Sequence, residues 1–383
     1  MLKQLHPVAG ALALATISSF WLATVFSELF GTPALVNTVK TSIPWGFLLL
    51  IPALAAAGGS GFNLARGWQS GLVGAKIKRM PIIAANGLLI LIPCALFLAA
   101  KAKSGEFDGV FYAVQVVEII VGGINITLLG LNMRDGFKIS GRLGHQREPL
   151  TLIAKERLVG SDIMTLRLRQ GGLQYKAGQY AFFKLDDVAG DPRGQTRCFS
   201  LASSPTEQDT ILISTRIGSS AYKQKLGLLQ QGGQILAWEP SGEFVLHDDY
   251  SRPAIFLSGG IGVTPFRSMI KYATDKVLPL KIVFFNSNSD ERRILYREEF
   301  DRWRLENKNL TVVYTLTREV RSEWKGERGR IDKAMITRHA GDISRAIFYV
   351  CGPSGMVRTI QDLLYDDLHM PRERVKLEEF AGY

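Results

Sequence analysis

Four long apolar stretches open the chain, at residues 8–30, 42–62, 82–100 and 110–131. Each is close to the roughly 20 residues that a helix needs to cross the hydrocarbon core of a bilayer, so we expect four transmembrane helices. The first stretch ends without a clear cleavage site and three more follow, which favours an anchor over a signal peptide. The alternative is that these are buried helices of a soluble protein.

The charges between these stretches predict an orientation. The first and third connections are weakly charged, and the first carries only Lys40. Basic residues concentrate after the second and fourth stretches: Arg66, Lys76, Lys78, Arg79, Arg134, Lys138, Arg142 and Arg147. By the positive-inside rule, both termini should face the cytoplasm of a multi-pass protein of the inner (cell) membrane.

The pattern changes twice after the apolar third. From about residue 149, short alternating runs separated by Gly, Pro, Asp or Ser indicate antiparallel strands. From residue 252, apolar strands alternate with amphipathic helical stretches, which indicates a parallel sheet with crossover helices. The expected architecture is multidomain: a four-helix transmembrane bundle (1–135), a six-stranded antiparallel β-barrel (136–250) and an α/β parallel-sheet domain (251–383).

Composition narrows the function classes. The 383 residues include 46 Lys and Arg against 35 Asp and Glu, a net charge of +11, with a mean hydropathy of +0.08. Together with the apolar third of the chain, this composition argues against a disordered chain, a small disulfide scaffold and a purely soluble enzyme. Cytoplasmic loops or phosphate-bearing ligands explain the charge without nucleic acid. The three cysteines, Cys94, Cys198 and Cys351, are too few for a four-thiolate iron–sulfur centre, so no metal is expected.

Six short motifs occur in order in the last two thirds of the chain. They are AGQY (177–180), RCFSLASSP (197–205), EPSGEF (239–244), LSGGIGVTP (257–265), YVCGPSGM (349–356) and the terminal EEFAGY. Together they resemble the ferredoxin–NADP reductase superfamily, flavoproteins that pass electrons between a nicotinamide nucleotide and a one-electron partner. The resemblance implies an FAD-binding barrel, an NAD(P)-binding domain, and FAD with NADPH or NADH as cofactors.

The RCFS motif, Arg197, Cys198, Phe199 and Ser200, is the expected flavin-binding strand. A guanidinium at Arg197 can pair with a phosphate, an aromatic at Phe199 can stack on the isoalloxazine, and the Ser200 hydroxyl can hydrogen-bond its redox-active edge. The resemblance assigns these same roles, although Tyr is commoner than Phe at the aromatic position. The alternative is an ordinary amphipathic strand with a surface Arg.

A serine-rich helix start follows at residues 214–226. Backbone N–H groups at a helix start bind phosphate, and the resemblance places Arg216, Ser219 and Ser220 on the flavin diphosphate. A diphosphate grip favours FAD over FMN. The alternative for the serines is a helix N-cap with nothing bound.

Two glycine turns predict the nicotinamide nucleotide site. Each follows an apolar strand, and glycines permit close backbone approach to a pyrophosphate. The resemblance sets Thr264 near the nicotinamide and Cys351 near its hydride-donating carbon; a small buried residue is the alternative for Cys351. The residues of the two turns are Gly259, Gly260, Gly262, Thr264, Pro265, Cys351, Gly352 and Pro353.

The C-terminus and three arginines complete the expected site. The resemblance places a closing aromatic over the flavin, for which Phe380 is favoured and Tyr383 is the alternative; a disordered end is also possible. Preference for NADPH needs cations at the 2′-phosphate. Arg318, in a Thr-Arg-Glu sequence, is the leading candidate, with Arg292 and Arg293 beside it, and solvated surface arginines are the alternative.

Polar residues inside the apolar stretches raise a separate question. Glu28, Gln115 and Glu118 lie where a carboxyl is costly and usually faces the bundle interior. They could form a proton or quinone site, but a neutral carboxyl bonded to another helix is the favoured interpretation.

The favoured function is a membrane-anchored flavoprotein reductase, with Ser200, Thr264, Cys351 and Phe380 at the hydride-transfer site. Its acceptor would be a ferredoxin, a flavodoxin, a membrane oxygenase or desaturase, or a quinone; no nucleic acid partner is expected. Two alternatives are a haem-containing conduit of the NADPH oxidase or ferric reductase type and a non-catalytic membrane sensor. The first is disfavoured because no His lies inside the apolar stretches.

Overall fold

The computed structural model describes residues 2–64, 71–139, 147–188, 190–191, 193–318 and 323–380. The chain divides into two compact units, Met1–Gly144 and His145–Tyr383.

The first unit is helical. Its helices are α1 (Leu2–Phe30), α2 (Pro33–Leu64), α3 (Gly71–Asn86), α4 (Ile92–Lys103) and α5 (Gly109–Ile139). A π-helical turn, Gly87–Leu91, joins α3 to α4. Counting α3 and α4 as one segment, four helices in the described residues are long and apolar enough to cross a membrane. They follow the four apolar stretches because a continuous apolar run satisfies its backbone polar groups most completely as a helix.

Two residues that the sequence placed outside the apolar stretches, Lys40 and His6, lie inside these helices. Helix α2 begins at Pro33, so Lys40 belongs to the helix and is only 1% exposed. Its Nζ lies 2.5 Å from Oε2 of Glu118 in α5, so Glu118 contacts another helix through an ion pair. His6, which precedes the first apolar stretch in sequence, lies in α1, and its Nδ1 is 3.0 Å from the Ala57 carbonyl of α2.

The second unit begins with an antiparallel sheet of six strands, as expected. They are β1 (Arg147–Arg157), β2 (Ile163–Arg169), β3 (Tyr180–Lys184), β4 (Thr196–Ser200), β5 (Thr210–Arg216) and β6 (Gln234–Trp238), with helix α6 (Ala221–Leu228) between the last two. The spatial order is β4-β3-β6-β1-β2-β5. The two end strands approach each other where the Ala202 N–H donates to the Leu212 carbonyl at 2.8 Å.

A parallel six-stranded sheet follows. Its strands are β7 (Ala254–Gly259), β8 (Ile282–Asn288), β9 (Leu310–Leu316), β10 (Glu327–Arg328), β11 (Ile347–Pro353) and β12 (Val375–Phe380), in the order β10-β9-β8-β7-β11-β12. Helices α7 (Thr264–Asp275), α8 (Arg297–Glu306), α9 (Lys333–Ala340) and α10 (Ser354–Asp362) connect them. The carboxyl ends of β7, β11 and β12 are therefore neighbours, and ligands of such sheets bind outside that edge.

Candidate functional site

The carboxyl edge of the parallel sheet brings the two glycine turns and the C-terminal strand together. In the strand register, Cys351 of β11 lies between Ser258 of β7 and Glu378 of β12, and Pro353 lies beside Phe380. Cys351 is completely buried. Cys351 is thus a small buried residue near the end of β11, at the edge where a nucleotide would bind. Its role beside the nicotinamide stays a prediction.

Glu378 is a site residue that the sequence analysis did not single out. Its side chain is 8% exposed, and Oε2 has no hydrogen-bond partner in the described part of the chain. Burial raises the pKa of Glu378 to about 8. Burial and then the nearby Glu378 carboxyl also raise the pKa of the Cys351 and Cys198 thiols, so these three groups share one region.

Ser200 faces this region from the antiparallel sheet. It pairs directly with Tyr180 of β3, and Cys198 lies on the same face of β4 because side chains alternate along a strand. Ser200 is 5% exposed, and its Oγ lacks a hydrogen-bond partner among the described residues. Interaction with Cys198 and Glu378 contributes to raising the pKa of Tyr180 to about 12, after the larger effect of burial. The face thus gathers Tyr180, Cys198 and Ser200 beside Glu378.

Phe199 occupies the opposite face of the same strand. Its ring centroid lies 5.8 Å from that of Phe183 and 6.3 Å from that of Tyr222, against the core of the antiparallel sheet. The structure therefore separates Phe199 from Ser200, whereas the sequence analysis expected both to contact the same flavin ring.

Arg197 lies on the Phe199 side, close to the start of α6. It is 6% exposed, its guanidinium stacks over Tyr222, and Nη2 lies 2.6 Å from Oδ2 of Asp191. Backbone hydrogen bonds from Tyr222 and Arg193 and the ion pair with Arg197 outweigh burial and lower the pKa of Asp191 to about 2. Arg197 is thus already held by the chain itself.

Lys223 lies close to Arg197 and to two further arginines. Burial, followed by the charges of Arg193, Arg197 and Arg216, lowers the pKa of Lys223, which places the three arginines within electrostatic reach of Lys223. Such a cluster at the start of a helix suits a phosphate group. Asp191 supplies a carboxylate to it.

The two serines before α6 behave differently. Ser220 is the N-cap, with Oγ accepting from the Lys223 N–H at 3.3 Å, and Ser219 is exposed. Ser220 therefore performs the capping role that was its alternative interpretation.

Close packing explains two of the glycines. A Cβ on Gly262 would lie 2.3 Å from the Cys351 carbonyl oxygen, so the two turns touch backbone to backbone. Gly260 has φ +54°, in the left-handed region that favours glycine. Thr264, 2% exposed, donates its hydroxyl to the Ile261 carbonyl at 3.1 Å, and Pro265 lies in the first turn of α7.

A cavity of about 450 Å³ opens beside these turns. Arg216 lines it, with Nη2 over Gly260, as do Arg293 and Arg330. Arg330 was not singled out from the sequence, because it is far from the glycine turns along the chain and belongs to none of the motifs. The remaining lining includes Gly259, Ser287, Asn288, Thr317, Pro353 and Met356.

The other arginines proposed for nucleotide selection lie outside this lining. Arg318 is exposed, and the Arg292 side chain is 70% exposed beside Asp290. Phe380 packs against the core cluster that contains Cys351. Tyr383 lies outside the described residues.

A family model for the oxidoreductase NAD-binding domain matches residues 256–362. The flavohemoprotein of Deinococcus radiodurans is 28% identical over 235 residues, 60% of this chain and 57% of that protein. Ferredoxin–NADP reductase B of Sorangium cellulosum is 27% identical over 54% of this chain and 85% of its own length. These similarities support a flavoprotein of the ferredoxin–NADP reductase superfamily. The prediction of this family, and of FAD and NAD(P)H as its cofactors, is confirmed.

A solved structure has a similar fold. The FAD/NAD-binding domain of nitric oxide dioxygenase from Vibrio cholerae O1 biovar El Tor has a TM-score of 0.54 at 17% identity, covering 61% of this chain and 99% of that domain. The family-model match lies within the second unit. The chain spans little more than half the length of the flavohemoprotein, so that protein's activity does not transfer as a whole.

The residues present fit a flavin on two observations. The buried Ser200 hydroxyl lacks a partner among the described residues, which is unusual for a buried polar atom and suits a ligand hydrogen bond. The cluster of Arg193, Arg197, Arg216 and Lys223 suits a diphosphate.

Proposed function

We propose that this protein is a membrane-anchored reductase that takes electrons from NADPH or NADH through FAD and passes them singly to an acceptor protein or a quinone. The observation that carries the proposal is the convergence of Ser200, Cys351 and Glu378, from two sheets, at the edge where the glycine turns meet. Two sets of cations, the arginines near Lys223 and those that line the cavity, offer positions for anionic ligands.

Bound FAD would accept hydride and release single electrons, and the chain would position the reactants. The Ser200 hydroxyl would hydrogen-bond the flavin, and Arg197 and Lys223 would hold its diphosphate. Cys351 and Thr264 would shape the nicotinamide position, while Glu378, with its pKa near 8, would remain a neutral acid at pH 7. Phe380 would cover the flavin until the nicotinamide displaces it.

We further propose the arrangement in the membrane. The four apolar helices would span it with both termini and the reductase unit in the cytoplasm. The antiparallel sheet would close as a barrel, and residues 136–250 and 251–383 would form the FAD and NAD(P) domains.

The decisive experiment uses the full chain, purified in detergent. We expect a yellow protein with one FAD per chain, whose flavin is bleached by NADPH or NADH under anaerobic conditions in a stopped-flow spectrometer. A haem absorption band would favour the transmembrane conduit instead, and a flavin that neither nucleotide reduces would favour a non-catalytic sensor.

Replacing Arg330 with alanine tests the nucleotide cavity. If the 2′-phosphate of NADPH lies in this cavity, the variant should raise KM for NADPH on the order of tenfold, because a charge-assisted hydrogen bond contributes about 1.5–3 kcal/mol. KM for NADH should change much less. Arg318→Ala is the matched control, because Arg318 lies outside the cavity lining. An equal effect on both nucleotides would contradict this position for the phosphate.

A further inference from the structure

A buried arginine links the two sheets of the reductase unit. Arg267 of α7 is 1% exposed and donates to two carboxylates. Its Nε and Nη2 each lie 2.6 Å from an oxygen of Glu299 in α8, and its Nη1 and Nη2 lie 2.8 Å and 3.1 Å from the oxygens of Glu207. Glu207 belongs to the antiparallel region and Glu299 to the parallel one, so a single guanidinium bridges both.

The bridge joins two segments that follow candidate site residues in the chain. Arg267 lies three residues after Thr264, and its Nη1 also donates to the carbonyl of Ala202 at 2.8 Å, two residues after Ser200. The neighbouring Ser268 hydroxyl donates to the Ser203 carbonyl at 2.5 Å. The segments that follow Ser200 and Thr264 are therefore joined directly to each other.

The surroundings leave Arg267 little freedom. Its guanidinium lies over the rings of Tyr296 and Trp303, with centroid distances of 5.0 Å and 5.4 Å. Glu207 accepts the Ser204 N–H at 2.7 Å, so the carboxylate is anchored to the same loop. A planar fork held by two carboxylates, a carbonyl and two rings has essentially one geometry, and lysine cannot reproduce it.

We propose that Arg267 is a positioning residue for hydride transfer, which fixes the spacing between the Ser200 and Thr264 segments and so between the flavin and nicotinamide rings. The inference rests on the proposed function. A displacement of about 1 Å between reacting groups can cost about 100-fold in rate. The two sheets carry one reactant each, so a rigid cross-link beside the reacting edge would have this effect.

The first test compares two arginine-to-lysine variants of the full chain. Arg297 is the control, since it also pairs with two carboxylates, Glu291 and Asp301, and lies over two rings, but all its partners belong to the parallel region. We expect Arg267→Lys to slow flavin reduction at saturating nucleotide by on the order of tenfold or more, with weaker flavin–nicotinamide charge-transfer absorbance. Arg297→Lys should lose thermal stability and keep its rate.

A second test remains useful if Arg267→Lys loses its flavin. Glu207→Gln and Glu299→Gln each weaken the pairing of Arg267 with one carboxylate. Of these two pairs, only Arg267–Glu207 connects the parallel region to the antiparallel region. We expect Glu207→Gln to lower the rate of flavin reduction more than Glu299→Gln, with nucleotide affinity nearly unchanged in both. Equal rates in the two glutamine variants, or in the two lysine variants, would overturn the inference. A wild-type flavin that no nicotinamide nucleotide reduces would contradict the proposed function itself.

Discussion

Lys40→Met is expected to destabilise the helical unit by about 3–5 kcal/mol, because it leaves the Glu118 carboxylate buried without its cation. The Lys40 ammonium is 2.5 Å from Glu118 and 3.4 Å from the Thr24 hydroxyl, and only 1% of its side chain is exposed. Unfolding of the solubilised chain, followed by circular dichroism during titration with a denaturing detergent, would measure the loss.

The double variant Lys40→Met with Glu118→Leu separates a buried ion pair from simple loss of packing. Replacing both partners by apolar residues of similar size is often neutral, so the double variant should recover most of the stability. Lys101→Met is the control, since Lys101 pairs with the exposed Glu106 and Asp108 and should matter little. A double variant as unstable as Lys40→Met alone would contradict this account.

Elements with a strong local signal were predicted well. The four apolar stretches became helices because their length and lack of charge permit little else, and all six strands of the antiparallel sheet match the alternating runs. The start of α2 was missed because the polar sequence around Lys40 is typical of a loop. Only the distant Glu118 makes a helical, buried Lys40 possible.

Two strands of the parallel sheet had no clear local signal. Strand β12, Val375–Phe380, carries Lys376, Glu378 and Glu379, which is unusual for a buried strand, and β10 has only two residues. Both strands are defined by pairing with neighbours that are distant in sequence: β12 with β11 and β10 with β9.

The sequence motifs indicated part of the region where the structure brings the candidate site residues together. Ser200, Thr264 and Cys351 lie near the edge that the motifs indicated, while alternation along β4 moves Phe199 to the other face. Glu378 was missed because, in sequence, it is one of two adjacent acids near a chain end. Its chemistry depends on lying beside Cys351, which only the strand register reveals.

The pH dependence of stability should therefore carry a contribution from Glu378. Its pKa is about 8 in the folded chain, against an ordinary value of 4.5. Between these values the folded chain holds a proton that the unfolded chain has released, so this group's contribution to stability is full below pH 4.5 and declines towards pH 8. The slope from one group is at most about 1.4 kcal/mol per pH unit.

Glu378→Gln is expected to remove that decline, because glutamine keeps the shape of the neutral acid and cannot ionise. Infrared difference spectra of the wild type should show a protonated carboxyl that disappears near pH 8, and the variant should lack it. Flavin reduction by NAD(P)H should be similar in both proteins at pH 7. Above pH 8 it should slow in the wild type alone, because the ionised Glu378 then opposes the negative charge that hydride transfer brings to the flavin.

Glu379→Gln is the matched control, since alternation along β12 directs the neighbouring carboxyl to the opposite side of the strand. It should keep the wild-type pH profile of both stability and flavin reduction. If Glu378→Gln retained the decline in stability between pH 5 and 8, the ionisation would belong to another group. The proposal that Glu378 is a neutral acid in the site would then be wrong. The positions of Ser200 and Cys351 would be unaffected, because they follow from the strand register.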